Sequence, residues 1–182
     1  EDQVLTDMIL KIEPSARIFT IDTGRIPQAT YDTISETMLR YTMEYEILLP
    51  DPAEVTGMVS EHGPNLFFES ISKRKLCCEI RKVRPLKKYL SRLDAWICGL
   101  RREQSFARAE IEKISWDENF GLVKLNPLAD WTSGDVWTYL RKNSVPYNKL
   151  HDFGYPSIGC APCTRAVKTG EHPRAGRWWW EE

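Results

Sequence analysis

The stretch R-I-F-T-I-D-T-G-R (residues 17–25), read together with residues 26–49, decides the fold class. Residues 17–21 form an apolar, β-rich run that ends in Asp22-Thr23-Gly24, so a strand delivers small and polar groups to the carboxyl edge of a sheet. In open α/β sheets, ligands bind outside that edge. Residues 28–43 then carry Tyr31, Ile34, Met38 and Leu39 at helical spacing, and residues 45–49 form a second strand. Pro50-Asp51-Pro52 makes a turn and a cap for a helix over residues 51–61. This β-α-β-α alternation predicts an α/β protein with an open, mostly parallel, twisted sheet flanked by helices.

Outward from this core, residues 1–10 read as an amphipathic helix through Val4, Leu5, Met8 and Ile9. Gly63-Pro64-Asn65 precedes a helix over residues 66–72. Residues 75–81 form a short helix, and Pro85 starts another over residues 86–93. Residues 95–98 are a strand, followed by the basic loop Gly99-Leu-Arg101-Arg102. Residues 111–116 and 122–125 predict a hairpin, and Thr132 or Ser133 caps a helix that runs through Lys142. At 182 residues one domain is expected.

The chemistry is concentrated in two cysteine pairs. Cys77-Cys78 lies in K-R-K-L-C-C-E-I-R-K, and Cys160-Ala-Pro-Cys163 lies in Y-P-S-I-G-C-A-P-C-T-R. Four thiolates suit a cubane iron–sulfur cluster or a structural zinc. An adjacent Cys-Cys chelates one small tetrahedral ion awkwardly, whereas a larger cluster accommodates it. Lys73, Arg74, Lys75, Arg81, Lys82, Arg84, Arg165 and Lys168 flank the pairs and would offset an anionic centre. Two buried structural thiols with an incidental C-x-x-C remain the plainer alternative.

Composition narrows the field. A net charge of −1 gives no global field for nucleic acid or an acidic membrane. No apolar run reaches the roughly 20 residues of a spanning helix. Five cysteines without an extracellular address read as cytosolic metal or catalytic thiols, so a cytoplasmic location is expected.

The segments C-C-E-I-R-K-V-R-P-L (residues 77–86), W-I-C-G-L-R-R-E-Q-S (96–105) and L-H-D-F-G-Y-P-S-I-G-C-A-P-C-T-R (150–165) resemble the assimilatory adenylyl-sulfate reductases. These are the cluster-containing branch of the phosphoadenylyl-sulfate reductase family. The resemblance implies the adenine nucleotide alpha hydrolase-like fold and a [4Fe–4S] cluster on Cys77, Cys78, Cys160 and Cys163. It also implies reduction of adenosine 5′-phosphosulfate to sulfite and AMP through a cysteine thiosulfonate, with thioredoxin or a similar dithiol as reductant.

Asp22, Thr23 and Gly24 match the loop that receives the nucleotide, and Arg174 and Arg177 in H-P-R-A-G-R-W match two substrate-binding arginines. Lys82, Arg101, Arg102 and Arg108 are further candidate cations, and Gly99 would permit close backbone approach. His172 is a possible anion contact, and the Trp178-Trp179-Trp180 run reads as packing. The family's serine- and glycine-rich phosphate loop would precede Glu1. Its nucleophilic cysteine, in E-C-G-L-H, would lie beyond Glu182, so residues 1–182 read as one catalytic domain without those two ends. Cys98 is the spare thiol and reads as a core residue. The 3′-phosphorylated substrate, a non-catalytic nucleotide- or cluster-binding domain and a zinc-stabilised transferase stay open as alternatives, as does a homo-oligomer.

Overall fold

The computed structural model describes residues 1–181. Its elements in chain order are α1 (Asp2–Ile12), β1 (Ile18–Ile21), α2 (Gln28–Tyr41), β2 (Tyr45–Leu48), α3 (Pro52–His62), α4 (Ile71–Cys78), α5 (Arg84–Leu90), β3 (Ala95–Ile97), β4 (Ile114–Asp117), β5 (Leu122–Leu125) and α6 (Ser133–Lys142). The α/β class expected from the alternation is the observed one. Strands β1 and β2 form one sheet, and a second sheet has the order β3-β5-β4. In the latter, β3 pairs parallel with β5, and β4 and β5 form the predicted antiparallel hairpin with Ile114 opposite Leu125. Gly121, at φ +70°, closes the hairpin turn by donating to the Asp117 carbonyl at 2.7 Å.

The chain divides into two compact units. One comprises Glu1–Ile18 and Lys87–Tyr147; the other comprises Phe19–Leu86 and the chain from Asn148 onward.

The first unit packs Val4 of α1 with Leu128, Val136, Leu140 and Val145, flanked by Trp131, Trp137 and Tyr139. Asp7 is buried within it, and its Oδ2 accepts from Lys11 Nζ at 2.6 Å and from Tyr139 Oη at 2.7 Å. A buried carboxylate is tolerated only with such partners. Thr132 caps α6 through a reciprocal box: its hydroxyl accepts from the Asp135 amide at 3.1 Å, and Asp135 accepts from the Thr132 amide at 2.8 Å. Thr132→Ala is expected to lower the melting midpoint by about 2–4 °C, as calorimetry would show.

The second unit is built on Met58, Leu66, Phe67, Cys77, Ile80 and Cys163. Its helices depart from the sequence reading in two places. The helix expected over residues 66–72 is a single 3-10 turn, Leu66–Phe68. The extended Ser70 then caps a new helix by accepting from the Lys73 amide at 3.2 Å. The separate helix expected to start at Pro85 does not form either. A π turn, Glu79–Val83, links α4 directly to α5. Proline has no N–H for a helix, and its ring collides with the carbonyl four residues earlier. Here that carbonyl is Arg81's, inside the widened π turn, so the helix passes Pro85 without ending. Such turns concentrate at functional sites, and this one directly follows the cysteine pair.

Candidate functional site

Four pieces of the second unit meet: the end of α4 with Cys77 and Cys78, the loop after β1, the loop around residues 159–164, and the segment after Arg174. The two loops are stitched by the Ala161 amide, which donates to the Arg25 carbonyl at 2.7 Å, and by a 3.2 Å contact between Thr23 Oγ1 and Cys160 Sγ. Cys160 and Cys163 are held apart by one 3-10 turn, with the Cys163 amide on the Cys160 carbonyl at 2.9 Å. Thr164 locks this turn: its Oγ1 donates to the Cys160 carbonyl at 2.9 Å and accepts from the Gly159 amide at 3.1 Å. The C-terminal segment closes the other side, where Thr164 and Arg177 form an antiparallel bridge and the Trp178 amide donates to the Cys163 carbonyl at 3.3 Å.

Two glycines make this assembly possible. A Cβ on Gly159 would sit on the Arg177 guanidinium, and one on Gly176 would sit on the Arg165 carbonyl oxygen.

Electrostatically the four sulfurs act on one another. Burial, followed by the neighbouring sulfurs, pushes the Cys163 thiol up to about 12. Burial also raises the Cys77 and Cys78 thiols against the opposing pull of Arg81 on Cys77 and of Arg74 on Cys78. Arg25 favours ionisation of Cys77, Lys82 that of Cys78 and Arg177 that of Cys163. Arg177 is itself held below the ordinary arginine range by burial and by Arg174.

Three of these arginines each carry a buried nitrogen with no hydrogen-bond acceptor: Arg25 Nη1, Arg81 Nε and Arg177 Nε. Each has one other nitrogen engaged: Arg81 Nη1 donates to the Thr23 carbonyl at 2.8 Å, Arg177 Nη1 to the Ile158 carbonyl at 3.3 Å and Arg25 Nη2 to Asn65 Oδ1 at 3.3 Å. A buried donor without a partner is costly, and three beside the same sulfurs suit an anionic centre. The donor set is all thiolate, the ligand type of iron–sulfur clusters and of zinc. Among the described residues, no three His, Cys, Asp or Glu side chains converge as they would to chelate one bare ion. Four thiols with buried, unsatisfied guanidinium donors around them fit an anionic cluster, which distributes its cysteines over several irons.

The other predicted residues divide between the units. Asp22 spends its carboxylate on its own loop and on α2, accepting from the Gly24 amide at 2.7 Å and from Tyr31 Oη at 2.9 Å. Gly24, at φ +71°, leaves Arg81 room to cross the loop. Lys82 lies in the π turn, and its charge favours ionisation of the Cys78 thiol. Arg174 Nη1 reaches Ser157 Oγ at 3.5 Å. His172 Nδ1 accepts from the Arg174 amide at 3.1 Å, which orders this loop.

Gly99, Arg101, Arg102 and Arg108 belong to the first unit. Gly99 is approached by Glu1 and Asp2, nearest by the Asp2 carboxylate and the Glu1 Cβ and then by the Asp2 amide. Arg101 is buried on Glu1 at 2.9 Å, Glu103 at 2.7 Å and the Trp131 carbonyl at 3.2 Å. Arg102 donates to the Ile111 carbonyl at 3.0 Å and pairs with Asp130, and Arg108 donates to Gln104. The Cys98 thiol is pushed up to about 12 by burial, which suits the core role read from sequence. The tryptophan run packs as expected, with Trp180 Nε1 on the Phe67 carbonyl at 3.2 Å. Sequence reading missed Arg25 as a partner of the cysteines, although a basic residue directly after a strand-ending D-T-G was the available signal. It also missed Glu181, for which no local signal exists.

Residues 1–166 match the phosphoadenosine phosphosulfate reductase domain. The chain belongs to this family. It is 49% identical over 181 residues to the adenosine 5′-phosphosulfate reductase of Allochromatium vinosum, covering all of this chain and 71% of that protein. The protein of the same name from Burkholderia cepacia is 51% identical, with 72% of its length covered. Among solved structures, the Candida auris phosphoadenylyl-sulfate reductase in a phosphate complex superposes with a TM-score of 0.72 at 29% identity, covering 91% of this chain and 77% of that one. Candida glabrata FMN adenylyltransferase with FMN and an ATP analogue shares the fold at TM-score 0.57 and 18% identity, covering 94% of this chain and 56% of that one. The reductase domain thus combines the family's α/β framework with four cysteines inside a cationic shell.

Proposed function

We propose that this reductase domain serves sulfate assimilation as a cytoplasmic oxidoreductase that converts adenosine 5′-phosphosulfate to sulfite and AMP. The observation that carries the reading is the four-cysteine site with its three unsatisfied guanidinium nitrogens, in a chain about half identical to proteins named for that substrate. That identity exceeds the 29% shared with the reductase named for the 3′-phosphorylated compound, which favours the unphosphorylated ribose.

Cys77, Cys78, Cys160 and Cys163 would hold a [4Fe–4S] cluster, which supplies a fixed charge distribution beside the substrate. The chain's own residues do the rest. Arg174, Arg177 and Lys82 bind and orient the phosphosulfate, and their charge offsets the repulsion met by an incoming thiolate. Asp22, Thr23 and Gly24 shape the loop that faces the nucleotide. A cysteine thiolate attacks the substrate sulfur, an S–S bond forms, the S–O bond breaks and AMP leaves. One thiol of a dithiol such as thioredoxin then attacks the cysteine sulfur, the S–S bond to sulfite breaks and sulfite leaves; the second thiol resolves the mixed disulfide, which returns the cysteine thiolate and leaves the dithiol as its disulfide. Among the described residues no helix is long and apolar enough to cross a membrane.

The test is iron and acid-labile sulfide per chain in the full-length protein purified without oxygen, alongside sulfite release from each nucleotide. About four irons and four sulfides, with turnover of the unphosphorylated substrate, is the expected result. Zinc without sulfide would overturn the cluster reading. Lys82→Ala is expected to lower turnover about 10–100-fold while iron content stays at the parent level. Unchanged turnover in iron-replete Lys82→Ala would remove Lys82 from the site.

A further inference from the structure

The segment after Arg177 is tied to the cysteine helix by charge. Arg74, one helical turn before Cys78, donates from Nε to Glu181 Oε1 at 2.7 Å and from Nη2 to Oε2 at 2.8 Å. Each side chain is only 14% exposed, so this two-pronged pair is sheltered from water. The same guanidinium lies over the Trp178 ring, 4.4 Å from its centroid, and interacts with the Cys78 sulfur. One arginine therefore touches the cysteine, the tryptophan that follows the cationic segment, and the acid that ends the aromatic run.

Trp178 has φ +50°, a left-handed conformation that a bulky residue adopts at a cost of order 1–3 kcal/mol. Its surroundings hold it there. Its amide bonds the Cys163 carbonyl, its ring lies against Arg74, and Trp180 is pinned to the Phe67 carbonyl. The Glu181 amide donates back to the Trp178 carbonyl at 2.9 Å, which compacts the segment into one turn. Without Glu181, Arg74 would keep its charge but lose the two acceptors that fix its plane, and the strained turn would lose an anchor.

We propose that the turn from Trp178 to Glu181 is a strap closed against Cys78 and Cys163 by the Arg74–Glu181 pair. In this arrangement Glu181 is a positioning residue that limits access to the metal-binding cysteines. The inference rests on the cluster reading for its metal readout, but the strap itself is a property of the chain. It predicts that the acid governs how fast a bound metal centre is lost, apart from how well substrate is turned over.

The test uses the iron-loaded full-length protein, with Glu181→Gln, Glu181→Asp, Arg74→Gln and the Arg74→Gln/Glu181→Gln double variant. Iron release is followed with a ferrous chelator under argon. Glu181→Gln is expected to release iron about tenfold faster than the parent, with Glu181→Asp between the two. The double variant is expected to be no faster than Arg74→Gln, because both changes break one interaction. Parent-like release from Glu181→Gln, or effects that multiply in the double variant, would overturn the strap. A parent that takes up no iron would overturn the cluster reading instead. The strap would then be judged by maleimide labelling of Cys78 in the metal-free proteins, where the same order of rates supports it and equal rates refute it.

Discussion

Cys160→Ser is expected to reduce iron from about four per chain to near zero and to abolish sulfite release. Serine keeps the shape of the side chain and a hydrogen-bonding group for Thr23 Oγ1, which lies 3.2 Å from the cysteine sulfur. The loop tie between the Ala161 amide and the Arg25 carbonyl uses backbone only and is untouched. What is lost is a thiolate, one of the four soft ligands that the site offers. Its loss leaves the guanidinium nitrogens of Arg25, Arg81 and Arg177 beside a site that can no longer carry the anionic centre they suit. Cys98→Ser is the control: that cysteine lies in the other unit, and its thiol is disfavoured as an anion by burial. Full iron in Cys160→Ser, or loss of iron in Cys98→Ser, would contradict the ligand assignment. Iron analysis and the visible spectrum of both variants decide the matter.

Gly176→Ala is expected to destabilise the second unit by about 3 kcal/mol, read as a lower denaturation midpoint. Gly176 is not among the glycines at positive φ, so its backbone conformation is open to alanine. The obstacle is space. The added methyl group would occupy the position of the Arg165 carbonyl oxygen, and that carbonyl belongs to a strand-like pairing in which the Arg165 amide donates to the Gly176 carbonyl at 2.9 Å. Backbone cannot swing aside as a side chain can, so the Thr164–Arg177 bridge must open. Gly159→Ala supplies the contrast. There the obstacle is the Arg177 guanidinium, a side-chain terminus. It can be displaced from the Ile158 carbonyl, so the expected result is a smaller loss of stability with a marked loss of substrate affinity. A Gly176→Ala protein as stable as its parent would show that residues 165 and 176 are not locked together.

These two variants also separate what is local in this chain from what is not. The reading of residues 17–49 as strand, helix and strand needed only periodicity and the punctuation of D-T-G and P-D-P. The structure has β1, α2 and β2 there, with Asp51 capping α3 by accepting from the Ala53 and Glu54 amides at 2.9 and 3.0 Å. The hairpin of β4 and β5 and the Thr132 cap were legible for the same reason: each is specified within a few residues. The cysteine pairs were legible as candidate ligands because thiolates beside so many cations have few other uses. The separate helix expected to start at Pro85 did not form because local rules describe an α-helix and say nothing of a π turn. For the candidate cations Arg101, Arg102 and Arg108 the sequence names the charge and the structure names the partners. Their motif marks them as cationic, but only the fold engages them with Glu1, Glu103, Asp130 and Gln104.

The order of elements, the α/β class and the identity of the four thiols are written in short segments, because backbone preference and ligand type are local properties. Which charges face those thiols is not written there. Arg25 and Arg177 are 152 positions apart by their numbers, and Arg74 and Glu181 are 107 apart. Each pair is brought to the cysteines by chain packing that no local pattern encodes. A guanidinium becomes part of a site when burial removes its water and leaves it one acceptor short, and burial is set by the folded chain as a whole.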